Sequence, residues 1–488
     1  MTTASSRAAA RRLRMSPSAW AGLLIAVAVG LLPLARPGAV VAGVFVLAVA
    51  PLGALVLAGV ARAAAITAAL AYAAALIWAY TNHYSPLFAY LGQIDARPEA
   101  MDQLIAAALA ALPSAWLPIP ARRPSTILLW FLYLVGYVPM TVVPLFLEGE
   151  LEAVLAVDIA LVAGMAILAL VARLPAAVIR VPHLTLGTLT HLLLALGILS
   201  SVYIAAAFGI QAPPSLADVY TTRLQSNTVF EAAVGIGYVV PWAGNAINPM
   251  LMALGMARRR ADLIVVGLAG QVLIYSVTGF KNVLFSIAIV PLVYLVITFA
   301  RRSFGALLAA AAAAIVVTSS LAGDWPLVLA RRIFATPGQV GWYYFEYFSE
   351  HPAYQLSHSV LSWLGPSAYS DPPPQIIGSV YFPGEGTNAN ANLWSDGFAN
   401  FGFAGVVGFT LILGLVLLAV DGLGRGRDLR VVGPLLAIAG LNLSDAALLT
   451  TILTNGLGLS CLLIALLPPG TVAARDRSPA STARGSPP

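Results

Sequence analysis

The sequence has little charge, one cysteine and one lysine, and each shortage excludes a class of protein. Charged residues make up 9% of the 488 residues, whereas a soluble domain carries about 25%. The single cysteine, Cys461, excludes an intrachain disulfide and a thiolate metal cluster. The cations other than Lys281 are arginines between apolar runs, and they form no basic patch interleaved with aromatic residues. We therefore expect no nucleic-acid partner.

Motifs of common soluble enzymes are also missing. The chain has no Walker loop, no GxSxG elbow, no HExxH and no CxxC pattern in a supporting context. We accordingly predict no cofactor and no metal site.

Long apolar runs dominate what is present. Apolar residues make up 60% of the chain, and the mean hydropathy is +0.88. Because a lipid-exposed backbone must satisfy its own hydrogen bonds, such runs predict helices. We predict an all-α protein, a polytopic transmembrane helical bundle of about 14 spans. The predicted spans are 18–35, 38–60, 64–80, 103–120, 125–146, 152–172, 187–209, 232–256, 262–280, 282–300, 303–321, 397–420, 431–447 and 450–468.

The arginines predict an orientation, since cytoplasmic loops are enriched in them. With the N-terminus inside, alternation brings most arginine-bearing connections to the cytoplasmic side. The domain organisation follows from this alternation. We predict a cytoplasmic disordered N-terminus (1–17), spans 1–11 (18–321), a large extracytoplasmic loop (322–396), spans 12–14 (397–468) and a cytoplasmic disordered tail (469–488). A structureless loop of this length is usually functional.

A polar island at 384–408 closes that loop beside an apolar run. Amide, carboxylate and indole groups at a membrane surface suit a sugar, because amides and carboxylates bridge hydroxyls and an aromatic face stacks on a ring. The alternative is an ordinary polar loop that caps a helix. The candidate sugar-binding residues are Asn388, Asn390, Asn392 and Trp394, and the island also contains Asp396.

Six cations fall on the predicted outer side, against the inside bias, and four of them are candidates for a binding site. Arg223, Lys281, Arg331 and Arg332 all fall on the predicted outer side. Together they would form an anion site for a phosphate or diphosphate, where arginine offers a bidentate fork. Each of them alone is equally well read as a cation that reaches toward lipid headgroups.

A general base for a sugar hydroxyl is expected among the acids and histidines of the loop. Residue type alone admits Glu346, Glu350, His351, His358, Glu385 and Asp396. We name Asp396, His358 and Glu350 as the catalytic candidates. The aromatic stretch GWYYFEYF in the same loop is typical either of an interfacial helix or of a sugar platform.

Two further acids fall within predicted spans. A proton-coupled carrier would use such intramembrane acids. Asp158 and Asp445 have no cation on a neighbouring turn of the sequence, so they give little support for a proton relay.

Three pieces of the chain resemble one family. They are NANANLWSDGFANFGFAGVVG with PPPQIIGSVYF upstream, the span pair around TGFKNVLF, and LNLSDAALLTTILTNGLGL. In these pieces, which lie in the last half of the chain, the sequence resembles the Wzy-type O-antigen or oligosaccharide repeat-unit polymerases.

The resemblance implies a metal-independent glycosyltransferase of the GT-C type in the cytoplasmic membrane. It implies joining of polyprenyl-diphosphate-linked oligosaccharides at the outer face, with membrane lipids and a chain-length regulator as candidate partners. The four cations would hold diphosphate, and Asp396 or His358 would accept the proton of the acceptor hydroxyl. Asn390, Asn392 and Trp394 would hold sugar. An O-antigen ligase and a flippase of lipid-linked sugars remain the alternatives.

Overall fold

The computed structural model describes residues 60–215, 219–364, 366–382 and 387–470. Every regular element in these ranges is helical, which confirms the all-α prediction. The predicted spans 18–35 and 38–60, the N-terminal segment, Glu385 and residues 471–488 of the tail lie outside the described residues, apart from residue 60.

The α-helices are numbered in chain order. They are α1 (Ala61–Ala79), α2 (Ser85–Phe88), α3 (Ala100–Ala111), α4 (Pro124–Leu132), α5 (Val138–Glu148), α6 (Leu151–Val171), α7 (Leu186–Phe208), α8 (Val219–Ala232), α9 (Ile236–Trp242), α10 (Asn248–Arg258), α11 (Ala261–Thr278), α12 (Lys281–Ala300), α13 (Phe304–Leu321), α14 (Asp324–Phe334), α15 (Thr336–Glu350), α16 (Pro373–Tyr381), α17 (Leu393–Gly424), α18 (Leu429–Asn442), α19 (Leu448–Leu453) and α20 (Leu457–Leu466).

Eight helical segments of the described chain are long and apolar enough to cross a membrane. They are Ala61–Leu91, Pro124–Glu148, Leu151–Val171, Leu186–Phe208, Ala261–Thr278, Lys281–Leu321, Leu393–Gly424 and Leu448–Leu466. The multi-pass membrane class is therefore supported, but the count of fourteen is not confirmed. Predicted spans 103–120 and 431–447 correspond to shorter apolar helices, and 282–300 and 303–321 are joined through a 3₁₀ turn at Arg301–Ser303.

Three π-helical turns interrupt the bundle, and each has the same local cause. They are Tyr80–Tyr84, Tyr133–Tyr137 and Ala243–Ile247. Each ends two residues before a proline, namely Pro86, Pro139 or Pro249. Because proline has no N–H, the carbonyl four residues earlier loses its helical partner, and a widened turn accommodates the loss.

Arginines tie the helix ends together at one end of the bundle, called here the arginine end and defined by Arg62, Arg123, Arg173, Arg301 and Arg427. Arg62 donates to the carbonyls of Ser114 and Leu117, and Arg173 donates to that of Trp116. The other three also donate to backbone carbonyls, in the last turns or connections of neighbouring helices. These contacts satisfy carbonyls that a helix terminus leaves without partners.

The segment predicted as a large loop contains the three helices α14, α15 and α16 in its described part. Helix α15 packs against α5 and α17, and most of its residues are buried. The backbone of Gly338 lies directly against the Pro139 carbonyl, and Gly341 contacts Met140 and Asn392. The aromatic helix is thus part of the bundle and does not lie flat on its surface. This end is called here the loop end, defined by the described residues between 322 and 400 and by the helix ends packed against them.

Candidate functional site

Helix α17 folds back on itself, and its first arm places part of the polar island at the loop end. Its regular geometry breaks at Phe401 and at Gly402, whose φ of 59° and ψ of −149° suit glycine. The backbones of Gly397 and Gly405 touch, although residues eight apart in a straight helix are about 12 Å apart. The arm 393–400 therefore lies against the arm 403–424, and it carries Asp396.

Asp396 is half-buried and held at both carboxylate oxygens. Oδ2 accepts the Leu448 amide at 3.2 Å, and Oδ1 accepts the Asn400 side-chain amide at 3.1 Å. Each oxygen keeps further lone-pair capacity, because a carboxylate offers about four acceptor positions. The group is positioned to accept another hydrogen bond.

Asn400 links Asp396 to the segment that carries His358. Its Oδ1 accepts the Leu356 amide at 2.8 Å while its Nδ2 donates to Asp396. The sequence interpretation missed Asn400, although its position four residues after Asp396 was the available signal.

Lys281 makes an ion pair with Asp445, with 2.8 Å between Nζ and Oδ2. The Asn282 amide donates to Asn442 Oδ1 at 2.9 Å and to Asp445 Oδ1 at 3.3 Å. The expectation that Asp445 has no cation beside it was wrong, because packing of α12 on α18 brings a distant lysine to it. Asp158 is buried in α6, and its Oδ2 has no hydrogen-bond partner within the described residues.

One short turn, residues 443–448, joins these two carboxylate sites. Its Leu443 carbonyl accepts the Leu393 amide at 3.0 Å, and its Leu448 amide donates to Asp396. Asp445 lies between them in the chain. The proposed base and the chain's only lysine are therefore attached to one structural unit.

Arg223 and Arg332 both act electrostatically on Tyr275, near the end of α11. Arg223 donates to the carbonyl of Gly279 at 3.1 and 3.3 Å. Gly279 is two residues before Lys281 in the chain. The Tyr275 hydroxyl lies within electrostatic range of both Arg223 and Arg332. Arg223 and Lys281 thus lie at the start of α12, and Arg332 shares with Arg223 its electrostatic effect on Tyr275.

Arg331 occupies a different environment. It is buried, and its guanidinium carbon lies 4.3 Å from the centre of the Phe88 ring. This cation–π contact fixes α14 against the end of the first described span.

The predicted sugar-binding residues divide into two pairs. Asn392 is buried and caps α17, because its Oδ1 accepts the amides of Trp394 and Ser395 at 2.9 and 3.0 Å. Trp394 is fully buried and donates to Thr410 Oγ1 at 3.2 Å. Asn388 and Asn390 are exposed just before the helix.

The other two predicted catalytic residues are exposed. His358 Nε2 lies 3.0 Å from the Tyr369 carbonyl oxygen, and its ring meets that of Tyr354 edge-on. Glu350 ends α15.

An acidic and aromatic group lies along α15 and α16. The Trp342 indole donates to Glu148 at 2.7 Å, and the rings of Tyr343 and Tyr381 stack at 4.1 Å. Partial burial, together with the nearby charges of Glu148 and Glu350, raises the pKa of Glu346. Burial also raises the pKa of Tyr381, whose hydroxyl pairs with Glu346.

The loop end combines cations with a positioned carboxylate, residue types that suit neutralisation of an anion and acceptance of a proton. Arg223, Arg332 and Lys281 supply positive charge, and Asp396 supplies a proton acceptor held by two hydrogen bonds. Among the described residues, no group of three or more His, Cys, Asp or Glu side chains has a metal-binding arrangement. Comparison with protein-family profiles, with curated proteins and with solved structures found no match for this chain.

Proposed function

We propose that this protein is a membrane glycosyltransferase that polymerises polyprenyl-diphosphate-linked oligosaccharide units. The proposal includes a GT-C-type bundle of about 14 spans in the cytoplasmic membrane. Both termini are cytoplasmic in this proposal, and the loop end faces outward. An O-antigen-type surface polysaccharide is the expected product class.

One observation carries the proposal: a half-buried carboxylate and several cations share the loop end of the bundle. Asp396 and the Lys281–Asp445 pair are connected through the turn 443–448. Arg223 and Arg332 both act electrostatically on Tyr275, and Arg223 donates to Gly279, two residues before Lys281. Glycosyl transfer from a diphosphate needs these two features, a base and a means of neutralising the leaving group.

The reaction that we propose uses these groups in one displacement. The oxygen of the acceptor hydroxyl bonds to the anomeric carbon of the donor, and Asp396 accepts the proton that this hydroxyl loses. The bond from that carbon to the diphosphate breaks, and its electron pair leaves with the polyprenyl diphosphate. Arg223, Arg332 and Lys281 stabilise the developing charge, while Arg331 supports α14 through Phe88.

Sugar contact is assigned first to Asn388 and Asn390, which are exposed beside the Asp396 arm. Asn392 and Trp394 act indirectly, by capping and anchoring that arm. His358 remains the second candidate base, because its segment is bonded to Asn400.

A flippase is less well supported than an enzyme. A carrier of lipid-linked sugars needs charged residues along a cavity through the membrane, whereas the predicted site cations and Asp396 lie at one end of the bundle. A ligase would use the same chemistry, so only its product distinguishes it.

The test is Asp396→Asn in cells that lack the native gene, with Asp262→Asn, an exposed acid at the start of α11, as the control. Asp396→Asn keeps the size of the side chain and one of its two accepted hydrogen bonds, but it removes the charge and the base. A polymerase predicts single lipid-linked units accumulating on the outer face of the membrane, with normal chains in the control.

Each other result contradicts the polymerase proposal in a distinct way. Units trapped on the inner face would identify a flippase. Long chains that stay on the lipid carrier would identify a ligase. Normal chain length in Asp396→Asn would remove Asp396 from the mechanism, and the parallel variant His358→Ala would then show whether the second candidate is the base.

A further inference from the structure

Asn400 uses both ends of its side-chain amide at a buried position. It is 5% exposed, its Oδ1 accepts the Leu356 amide at 2.8 Å, and its Nδ2 donates to the Asp396 carbonyl and carboxylate at 2.8 and 3.1 Å. A buried amide that satisfies both its donor and its acceptor has a single orientation.

The segment bonded to Asn400 has an uncommon backbone. Gln355 and Leu356 are consecutive non-glycine residues with φ of 51° and 63°. Such residues persist only where their surroundings hold them, and they concentrate at functional sites. The Tyr354 and Gln355 amides donate to the carbonyls of Ala399 and Asn400 at 2.9 and 3.3 Å, so three successive amides are bonded to the Asp396 arm.

We propose that Asn400 is a positioning residue that orients the Asp396 carboxylate and couples it to the strained turn 354–356. This inference rests on the proposed function for its catalytic meaning, but the coupling is a property of the fold. Movement of the turn shifts the Leu356 amide, the Asn400 side chain follows, and the carboxylate loses one of its two hydrogen bonds. The state of the loop is thereby transmitted to the base.

Two substitutions separate the two ends of the amide. Asn400→Ala removes both hydrogen-bonding functions. Asn400→Asp keeps an acceptor for Leu356 but turns an acceptor toward Asp396, where like charges repel. Asn82→Ala is the control, because Asn82 also donates to a carbonyl four residues earlier but is exposed.

The measurement is amide hydrogen exchange at Leu356 and Leu448 in the full-length protein in lipid nanodiscs. We expect both amides to exchange about tenfold faster in Asn400→Ala. In Asn400→Asp we expect only Leu448 to exchange faster, because its bond to Asp396 is disturbed. The control should match the wild type at both amides.

The catalytic meaning is tested by the pH profile of transfer from lipid-linked units. Asn400→Asp should need a pH higher by about one unit for half-maximal rate, a change that a purely structural role does not produce. Unchanged Leu448 exchange in Asn400→Asp would overturn the coupling. Altered exchange with an unchanged pH profile would overturn the positioning role. A wild-type protein that shows no transfer would overturn the proposed function, and the exchange data would then still decide whether the coupling exists.

Discussion

Lys281 and Asp445 lie 2.8 Å apart, Nζ to Oδ2, although Lys281 begins α12 and Asp445 lies in the turn that follows α18. Both side chains are about one-fifth exposed, with values of 22% and 19%. The pair is therefore neither fully solvated nor sealed from water. Asn282 and Asn442 extend it into a small polar network at the loop end.

Breaking this pair from one side should destabilise the protein. Lys281→Met leaves the Asp445 charge without its cation, and we expect a loss of about 2 kcal/mol, between the values for exposed and buried pairs. The double variant Lys281→Met/Asp445→Leu should recover much of the thermal midpoint in detergent while transfer stays low. Arg260→Ala breaks the exposed pair with Asp262 and should leave the midpoint unchanged. A full recovery of transfer in the double variant would remove Lys281 from the anion site.

The cations of the site should differ in their effects. Arg332→Ala and Arg223→Ala should lower the transfer rate by about 10²-fold, because charge-assisted bonds to the leaving diphosphate are lost. Arg331→Lys weakens the stacking on Phe88 and should lower the thermal midpoint more than the rate. Rates and midpoints of the purified variants provide the comparison, with Arg260→Ala as the control. Normal rates in Arg332→Ala and Arg223→Ala would identify these arginines as anchors to lipid headgroups.

The orientation is open to direct labelling. In a Cys461→Ala background, a membrane-impermeant thiol reagent added to intact cells should modify Ser370→Cys and spare Arg258→Cys. Both positions are exposed. Ser370 belongs to the loop end, whereas Arg258 belongs to a connection that the arginine pattern assigns to the cytoplasmic side. The reverse labelling pattern would invert the proposed orientation.

Acid should stabilise the region around Glu346. Partial burial, with the Glu148 charge next, raises the pKa of this carboxyl above its ordinary value of 4.5. A raised pKa in the folded state means that the stabilising contribution is present below the unfolded pKa and is lost as pH rises through the folded pKa. The thermal midpoint should therefore rise as pH is lowered from 7 toward 4.5, and Glu346→Gln should flatten that part of the curve. Tyr381→Phe removes a hydrogen bond that lowers the pKa of Glu346, so the rise of the thermal midpoint should begin at a higher pH. An unchanged curve in Glu346→Gln would show that Glu346 is not the group responsible.

Gly338 should tolerate no side chain. An added Cβ would collide with the Pro139 carbonyl and with Val143, so α15 would have to move away from α5. We expect Gly338→Ala to cost about 1–3 kcal/mol, measured as the thermal midpoint of the purified protein. Gly408→Ala in α17 has open space and should leave the midpoint unchanged or slightly higher. Equal midpoints for the two variants would mean that α15 does not pack on α5 as described.

The membrane class and the helical architecture could be predicted from the amino-acid sequence alone. Apolar runs such as 152–172 and 187–209 match α6 and α7 closely, because a span in lipid must be helical and its length is set by the bilayer. Proline at positions 86, 139 and 249 also carried the local signal for the three π-helical turns.

Which polar residues meet depends on how the helices pack, and the sequence did not predict it. Lys281 and Asp445 are far apart in the chain, and their pairing depends on how α12 packs against α18. Composition likewise made Trp394 a candidate to hold sugar, whereas the fold of α17 buries it against Thr410. Residue type and spacing describe what a side chain can do, but burial and partners depend on contacts between helices that no local pattern encodes.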